Sequence, residues 1–193
     1  MEKIDVRIPF TTKGNLGHEV NRIMLETKQN WVLLIDHDVF LCHPHWYYMC
    51  QKAIDLYPDT GLFTCWTNRS VALDKRMDIA VDSNNMEDHY YEAKRLFLRF
   101  GYECTKVTDL YCSGAFMLIR KIAWEASGGY PGHGIENEVC IFAKRLIENK
   151  WKIRLMQGMY IYHLKNEFVT SWIKGITILN QIPVTTCNLK AER

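Results

Sequence analysis

The chain has 193 residues, of which 48% are apolar and 24% are charged, and its formal net charge is +2. This balance is typical of one folded domain, it excludes a disordered chain, and the small net charge gives no general argument for nucleic-acid binding. No apolar run approaches the ~18 residues of a membrane span, and the N-terminus lacks the apolar core of a signal peptide. The cysteines form no Cys-x-x-Cys pair. We therefore expect a soluble cytoplasmic protein with reduced thiols.

Hydrophobic periodicity predicts that strands and helices alternate along the chain. Residues 4–9 alternate like a half-buried strand, a helix over 18–28 follows, and the apolar run 31–36 predicts a buried strand. The predicted elements that follow are a helix over 44–56, a strand over 61–66, a surface excursion over 70–89, a helix over 90–100, strands over 107–111 and 115–119, a glycine-rich loop over 128–134, a helix after this loop, and one or two strands over 151–162. Since β-α-β units join parallel strands, we expect the α/β class with a mostly parallel central sheet flanked by helices.

Two carboxylates, Asp36 and Asp38, directly follow the apolar strand 31–36. In an open α/β sheet, ligands bind beyond the carboxyl ends of the strands, so this pair is predicted to face a ligand crevice. Two acids held together repel each other, and a bound hard cation is the usual compensation. The alternative is that the strand simply ends at a polar turn.

Two later motifs supply further reactive groups. Glu136 and Glu138 follow the glycine-rich loop at the start of a predicted helix. The helix dipole favours acids at this position, so they either cap the helix or include a general base. His163 ends the last predicted strand. A single histidine is often structural, but imidazole is also a suitable ligand for Mn²⁺ beside carboxylates.

Taken in order, these motifs resemble those of the small, family 2-like glycosyltransferases of the GT-A fold, of the bacterial and phage type. The matching segments are the strand 4–9, the helix around Asn21, Asp36-His37-Asp38, Thr67-Asn68-Arg69, residues 113–120, Gly128-Gly129-Tyr130, the acids at 136–138, and Tyr162-His163. The resemblance implies a single GT-A, Rossmann-like domain over residues 1–165, with residues 166–193 as a helical or irregular tail packed on the same domain.

The resemblance also implies a reaction and a set of site residues. A sugar would move from a nucleotide-diphosphate sugar to an acceptor hydroxyl, with inversion and with Mn²⁺ or Mg²⁺ as cofactor. Asp38 would bind the metal directly, Asp36 would contact the ribose or reach the metal through water, and His163 would complete the metal site. The implied donor-binding residues are Pro9, Phe10, Asn21, Asp36, Asp38 and Gly114, with Lys13 as a further candidate.

The chain departs from the family pattern at the catalytic base. Glu136 stands at the position of the family's aspartate, and Asn137 replaces an adjacent acid, so the role of the base falls to Glu136 or Glu138. The family's larger members also have an N-terminal strand-helix unit that reads the nucleotide base. This chain has no clear counterpart, so the donor nucleotide and sugar are left open.

The motifs are also compatible with two alternatives to a glycosyltransferase. One is a phosphatase of the haloacid-dehalogenase type, with Asp36 as nucleophile and Asp38 as general acid. That fold needs a later strand ending in a second acidic pair, whereas the acids at 136–138 follow a loop. The other is a nucleotide-sugar-binding protein with a degenerate site, which Asn137 favours. The acceptor is left open between a glycan, a protein and a modified nucleic acid. The basic clusters at 94–99 and 144–154 do not favour a nucleic acid, because they are more typical of solvated helix faces.

Overall fold

The computed structural model describes residues 1–11, 15–68, 81, 83–107, 112–132 and 138–164. Lys13, Glu136 and the predicted tail 166–193 therefore lie outside the described residues. The elements in chain order are β1 (Ile4–Arg7), α1 (Leu16–Glu26), β2 (Trp31–Ile35), β3 (Val39–Leu41), α2 (Trp46–Leu56), β4 (Thr60–Thr67), α3 (Met86–Phe100), β5 (Cys104–Lys106), β6 (Phe116–Arg120), α4 (Lys121–Ala126), α5 (Glu138–Glu148) and β7 (Lys152–His163).

The strands form one mixed sheet in the order β1-β2-β6-β4-β7-β3, with β5 also paired to β7. The pairs β1·β2 and β4·β7 are parallel, and the remaining four pairs are antiparallel. The α/β class is confirmed, and the expectation of a mostly parallel sheet is wrong. The parallel rule holds for the unit β1-α1-β2, but β6 lies antiparallel between β2 and β4. A strand buried on both faces has the same apolar sequence whichever way it runs, so the pattern did not show its direction.

Strand β2 has five consecutive buried residues because helices cover both faces of the sheet. Successive side chains of a strand point to opposite faces. Trp31, Leu33 and Ile35 belong to a core cluster that includes α2, whereas Val32 and Leu34 pack in a second cluster with α1, α4 and α5. This packing positions the polar residues that follow Ile35 at the edge of the sheet.

Several element boundaries differ from the prediction. The excursion predicted over 70–89 gives way to α3 at Met86, whose N-cap Asn85 accepts a hydrogen bond from the Glu87 N–H at 3.1 Å. Strand β5 lies at Cys104–Lys106, ahead of the strand predicted over 107–111, of which 108–111 are outside the described part. The three residues of β3 and the six of α4 were not predicted, because such short elements show no complete hydrophobic period.

The cysteines and the helices bear on the expected reduced thiols and on the expected lack of a membrane span. The six cysteines in the described portion of the chain are free thiols, and burial raises the pKa of the Cys42 thiol to about 11. Across the same portion, none of the helices has the length and apolar character needed to cross a lipid bilayer.

Candidate functional site

The fold brings Asp36, Asp38 and His163 together at one edge of the sheet. One potential ligand atom from each side chain can be chosen such that all three lie within 4.8 Å of one another. The Nε2 atom of His163 lies 3.0 Å from Oδ1 of Asp38. Asp36 follows β2 directly, and His163 is the last residue of β7. The register of β3 against β7 pairs Val39 with His163, which places the turn carrying both aspartates beside the histidine.

Backbone hydrogen bonds hold the turn that carries the two aspartates. The Asp36 N–H donates to the Ala115 carbonyl at 3.1 Å, and the Val39 N–H donates to the Asp36 carbonyl at 3.3 Å. The Leu164 N–H donates to the Asp38 carbonyl at 3.0 Å. The backbone of the turn is therefore tied on one side to the start of β6 and on the other to the end of β7, so the three side chains need little reorganisation to act together.

The electrostatics of Asp36 favour a cation at this edge. Burial raises the pKa of the Asp36 carboxyl, and the charge of Asp38 raises it further, whereas His163 and His37 oppose the shift. The charge of the ionised Asp36 carboxylate is thus only partly compensated by the protein. Two carboxylates and one imidazole form a ligand set that suits Mn²⁺ or Mg²⁺, with the imidazole favouring Mn²⁺. The side chains present therefore fit the cation that the sequence led us to expect.

We expect Asp36→Asn to raise the thermal midpoint of the metal-free protein at pH 7 by about 1–2 °C, a small shift because solvent screens the partly exposed carboxyl. The folded pKa of Asp36 lies above its ordinary value of 3.8. The contribution of Asp36 to stability is therefore full below this value and is lost as the pH rises through the folded pKa. Asparagine does not ionise, so its advantage should shrink as the pH approaches 4.

Thermal denaturation in the presence of a chelator, at pH values from 7 down to 4, checks this expectation. The matched control is Asp55→Asn, because Asp55 is an exposed aspartate on α2. A midpoint that falls in Asp36→Asn at pH 7 would show that the Asp36 charge stabilises the metal-free fold.

Glu138 and Gly114 lie on neighbouring segments of the fold. A Cβ atom added at Gly114 would lie 3.1 Å from Cγ2 of Val139, so the turn before β6 packs on the first turn of α5, where Glu138 is located. Burial raises the pKa of the Tyr130 hydroxyl, and the charges of Glu138 and Asp36 raise it further. The charges of both carboxylates therefore act on the phenol of Tyr130, which stays protonated near neutral pH. The role of Glu136 as base stays a prediction, since Glu136 lies outside the described residues.

The Gly128-Gly129-Tyr130 turn is held by the side chain of Asn21. Oδ1 of Asn21 accepts hydrogen bonds from the Tyr130 N–H at 2.7 Å and from Nε1 of Trp124 at 2.9 Å, and Nδ2 donates to the Tyr130 carbonyl at 2.9 Å. Gly129 has φ = +83°, a conformation that glycine adopts without strain. Most of the hydrogen-bonding capacity of Asn21 is thus used within the protein, and the predicted donor contact of Asn21 stays a prediction that depends on one remaining N–H.

We expect Asn21→Ala to lower the free energy of unfolding by about 2–4 kcal/mol, because it leaves buried N–H groups of Tyr130 and Trp124 without their acceptor. Denaturant unfolding measures this loss. The control is Asn30→Ala, which removes an exposed amide and should change stability by less than ~0.5 kcal/mol. Equal stability of the two variants would contradict the role assigned to Asn21.

Pro9 and Phe10 are located at the same end of the sheet as Asp36. In the parallel register of β1 and β2, Arg7 pairs with Leu34, so the residues after β1 lie level with those after β2. Phe10 is 72% exposed. Its exposed ring is available to a ligand, and the predicted donor contacts of Pro9 and Phe10 stay predictions. Sequence reasoning assigned no role to Tyr130 or Asn68, although both belong to matched motifs and Asn68 is the first polar residue after the buried strand β4.

Neither a protein-family model nor a curated protein matches the chain. Among solved structures, the chain is similar to S. aureus TarS 1–349 with a TM-score of 0.51 and 14% identity, over 87% of this chain and 45% of that chain. It is also similar to TarS 1–349 in complex with UDP-GlcNAc, with the same TM-score and identity, over 80% of this chain and 41% of that chain. The chain thus spans less than half the length of these structures, and its fold is distantly similar to theirs.

Proposed function

We propose that the protein transfers a sugar from a nucleotide-diphosphate sugar to an acceptor hydroxyl and that Asp36, Asp38 and His163 hold a divalent cation at the donor site. The observation that carries this proposal is the convergence of two carboxylates and one imidazole within 4.8 Å. The fold supports it, because one structure of the distantly similar TarS contains UDP-GlcNAc. Mn²⁺ or Mg²⁺ is the proposed cofactor, and a nucleotide-diphosphate sugar is the proposed donor.

The three ligands have separate tasks in this proposal. Asp38 and His163, whose side chains already meet at 3.0 Å, would bind the cation directly. Asp36 would reach it directly or through water, or contact the donor ribose. When bound, Mn²⁺ or Mg²⁺ acts as a Lewis acid that neutralises the charge left on the departing diphosphate. The raised pKa of Asp36 implies that the cation competes with a proton there, so cation affinity falls as the pH decreases.

The proposed transfer step is a single displacement with inversion. The acceptor oxygen forms a bond to the anomeric carbon while the bond between that carbon and the diphosphate oxygen breaks, and a carboxylate takes the proton of the acceptor hydroxyl. Glu136 is the base that the resemblance implies, and Glu138 is the alternative. Glu138 is in the first turn of α5, where the positive end of the helix dipole interacts favourably with a negative charge. The charge of Glu138 contributes to the raised pKa of the Tyr130 phenol, so the two groups lie within electrostatic range of each other.

Nothing in the described part of the chain favours the phosphatase alternative. That mechanism needs a second acidic pair beside the aspartates, whereas the third member of the group is the imidazole of His163. The binding protein without activity differs from the transferase in turnover alone, so the experiment below separates the two.

Calorimetric titration with UDP-, GDP-, TDP- and CMP-sugars, each with and without Mn²⁺, tests the proposed donor site. We expect one nucleotide class to bind and its binding to require Mn²⁺. Release of free sugar from that donor in the presence of Mn²⁺ would then demonstrate transfer to water and exclude a binding protein without activity. If no donor binds, the likeness to TarS describes the fold alone and the proposed function is wrong.

A further inference from the structure

We propose that Asn68 is a positioning residue for the cation site, because its side-chain amide takes the place of a neighbouring strand and fixes the backbone of His163. This inference rests on the proposed function, since the cation site is the one formed by Asp36, Asp38 and His163. In addition to that function, cation affinity then depends on a side chain that provides none of the proposed ligand atoms.

The first observation is that β7 extends beyond its neighbour β4. The register of the two parallel strands ends at Thr67 and Ile161, whereas β7 continues to His163. The backbone of His163 therefore has no strand partner on the β4 side. An unpaired end of a strand frays, and a ligand on it would have to be ordered again at each binding event.

The second observation is that the amide of Asn68 makes both hydrogen bonds that a strand would make there. Oδ1 of Asn68 accepts from the His163 N–H at 2.8 Å, and Nδ2 donates to the His163 carbonyl at 3.1 Å. The hydroxyl of Thr67 lies 3.4 Å from the same Oδ1. Because the oxygen faces the N–H group and the nitrogen faces the carbonyl, the amide has one satisfactory orientation.

The third observation is that β3 holds the opposite side of this segment. Phe40 pairs with Tyr162, Val39 pairs with His163, and the Leu164 N–H donates to the Asp38 carbonyl at 3.0 Å. The backbone of His163 is thus held between the turn of the aspartates and the amide of Asn68. This two-sided support places Nε2 of His163 at 3.0 Å from Asp38.

The chemistry of the amide explains why asparagine suits this position. The two bonds require one acceptor and one donor at the spacing of a peptide group. Leucine has similar size but neither group, and glutamine places its amide one methylene further from the backbone. Outer partners of metal ligands typically change metal affinity 10–100-fold when they are removed.

Calorimetric titration of the metal-free protein with Mn²⁺ alone tests the inference. We expect Asn68→Ala and the nearly isosteric Asn68→Leu each to weaken Mn²⁺ binding by about 10–100-fold. The control is Asn149→Ala, which removes an exposed amide bonded to the Arg145 carbonyl and should leave the affinity unchanged. The loss should also vanish in the background of His163→Ala, because a residue that acts through His163 has no effect once the imidazole is gone.

Amide hydrogen exchange of the metal-free protein provides a readout that is independent of the cation. The His163 amide should exchange at least ~10-fold faster in both Asn68 variants, whereas the amide of Phe63 in the buried part of β4 should be unchanged. If the wild-type protein binds Mn²⁺ and the Asn68 variants bind it equally well, the inference is wrong and the proposed function stands. If the wild-type protein binds neither Mn²⁺ nor Mg²⁺, the cation site itself is wrong and the inference falls with it.

Discussion

Asp38→Ala is expected to reduce the affinity for Mn²⁺ by at least ~100-fold, which exceeds the usual loss at a residue that acts from outside the ligand set. Asp38 is the carboxylate that contacts His163, with Oδ1 at 3.0 Å from Nε2. Its removal deletes one proposed ligand and also the carboxylate that contacts the imidazole of a second proposed ligand in the metal-free site. Binding of the nucleotide-diphosphate sugar should be lost with the cation, because the cation would neutralise the charge of the diphosphate.

The measurement is calorimetric titration of the variant with Mn²⁺ and then with the donor class that the wild-type protein binds. Asp55→Ala is the matched control, because it removes an exposed aspartate of α2 and should keep the wild-type affinity for both. Thermal denaturation of the two variants verifies that both are folded. Donor binding that still requires Mn²⁺ and has wild-type affinity in Asp38→Ala would show that the metal lies elsewhere.

Replacement of the proposed catalytic base by its amide is expected to slow transfer by about 10²–10⁴-fold while donor affinity stays within about twofold of the wild-type value. Glu136→Gln is expected to have this effect by resemblance to the family, and Glu138→Gln is the alternative. Glutamine keeps the size of the side chain and loses the proton-accepting group, so binding and chemistry separate. The loss of a favourable helix-dipole interaction at Glu138 should cost no more than ~1 kcal/mol of stability.

Release of free sugar from the donor, measured with Mn²⁺ at saturating donor, reports the step without knowledge of the acceptor. Glu148→Gln is the control, because Glu148 is exposed at the opposite end of α5. A loss in one of the two variants identifies the base. Wild-type rates in both variants would show that neither glutamate accepts the proton and that the assignment based on the family is wrong.

Some features followed from the sequence because they depend on local patterns. The apolar run ending at Ile35 required a strand buried on both faces, and the strand confirms it with five buried residues. The polar residues Asp36 and Asp38 directly after it had to lie at the edge of the sheet. The position of His163 at the end of a strand was also predicted from the sequence, because the hydrophobic run of β7 stops there.

Other features required the tertiary structure because they join residues that are distant in sequence. Hydrophobic periodicity records which faces are buried but not which strands are neighbours, so the antiparallel insertion of β6 between β2 and β4 was not predicted. The sequence is equally compatible with an Asn21 amide that faces a ligand, and the packing of α1 beside the glycine turn shows that the amide binds Tyr130 and Trp124.

In the candidate site, too, some features follow from local patterns and others depend on the fold. The amino-acid pattern alone predicts polar residues at the ends of β2 and β7, because burial of the preceding strands dictates where polar side chains begin. The contact between Asp38 and His163, and the hydrogen bonds of Asn68 to the His163 backbone, become visible in the folded chain alone. The physical reason is that burial is set by local composition, whereas a hydrogen bond between distant residues depends on strand order, direction and register, which local composition leaves undetermined.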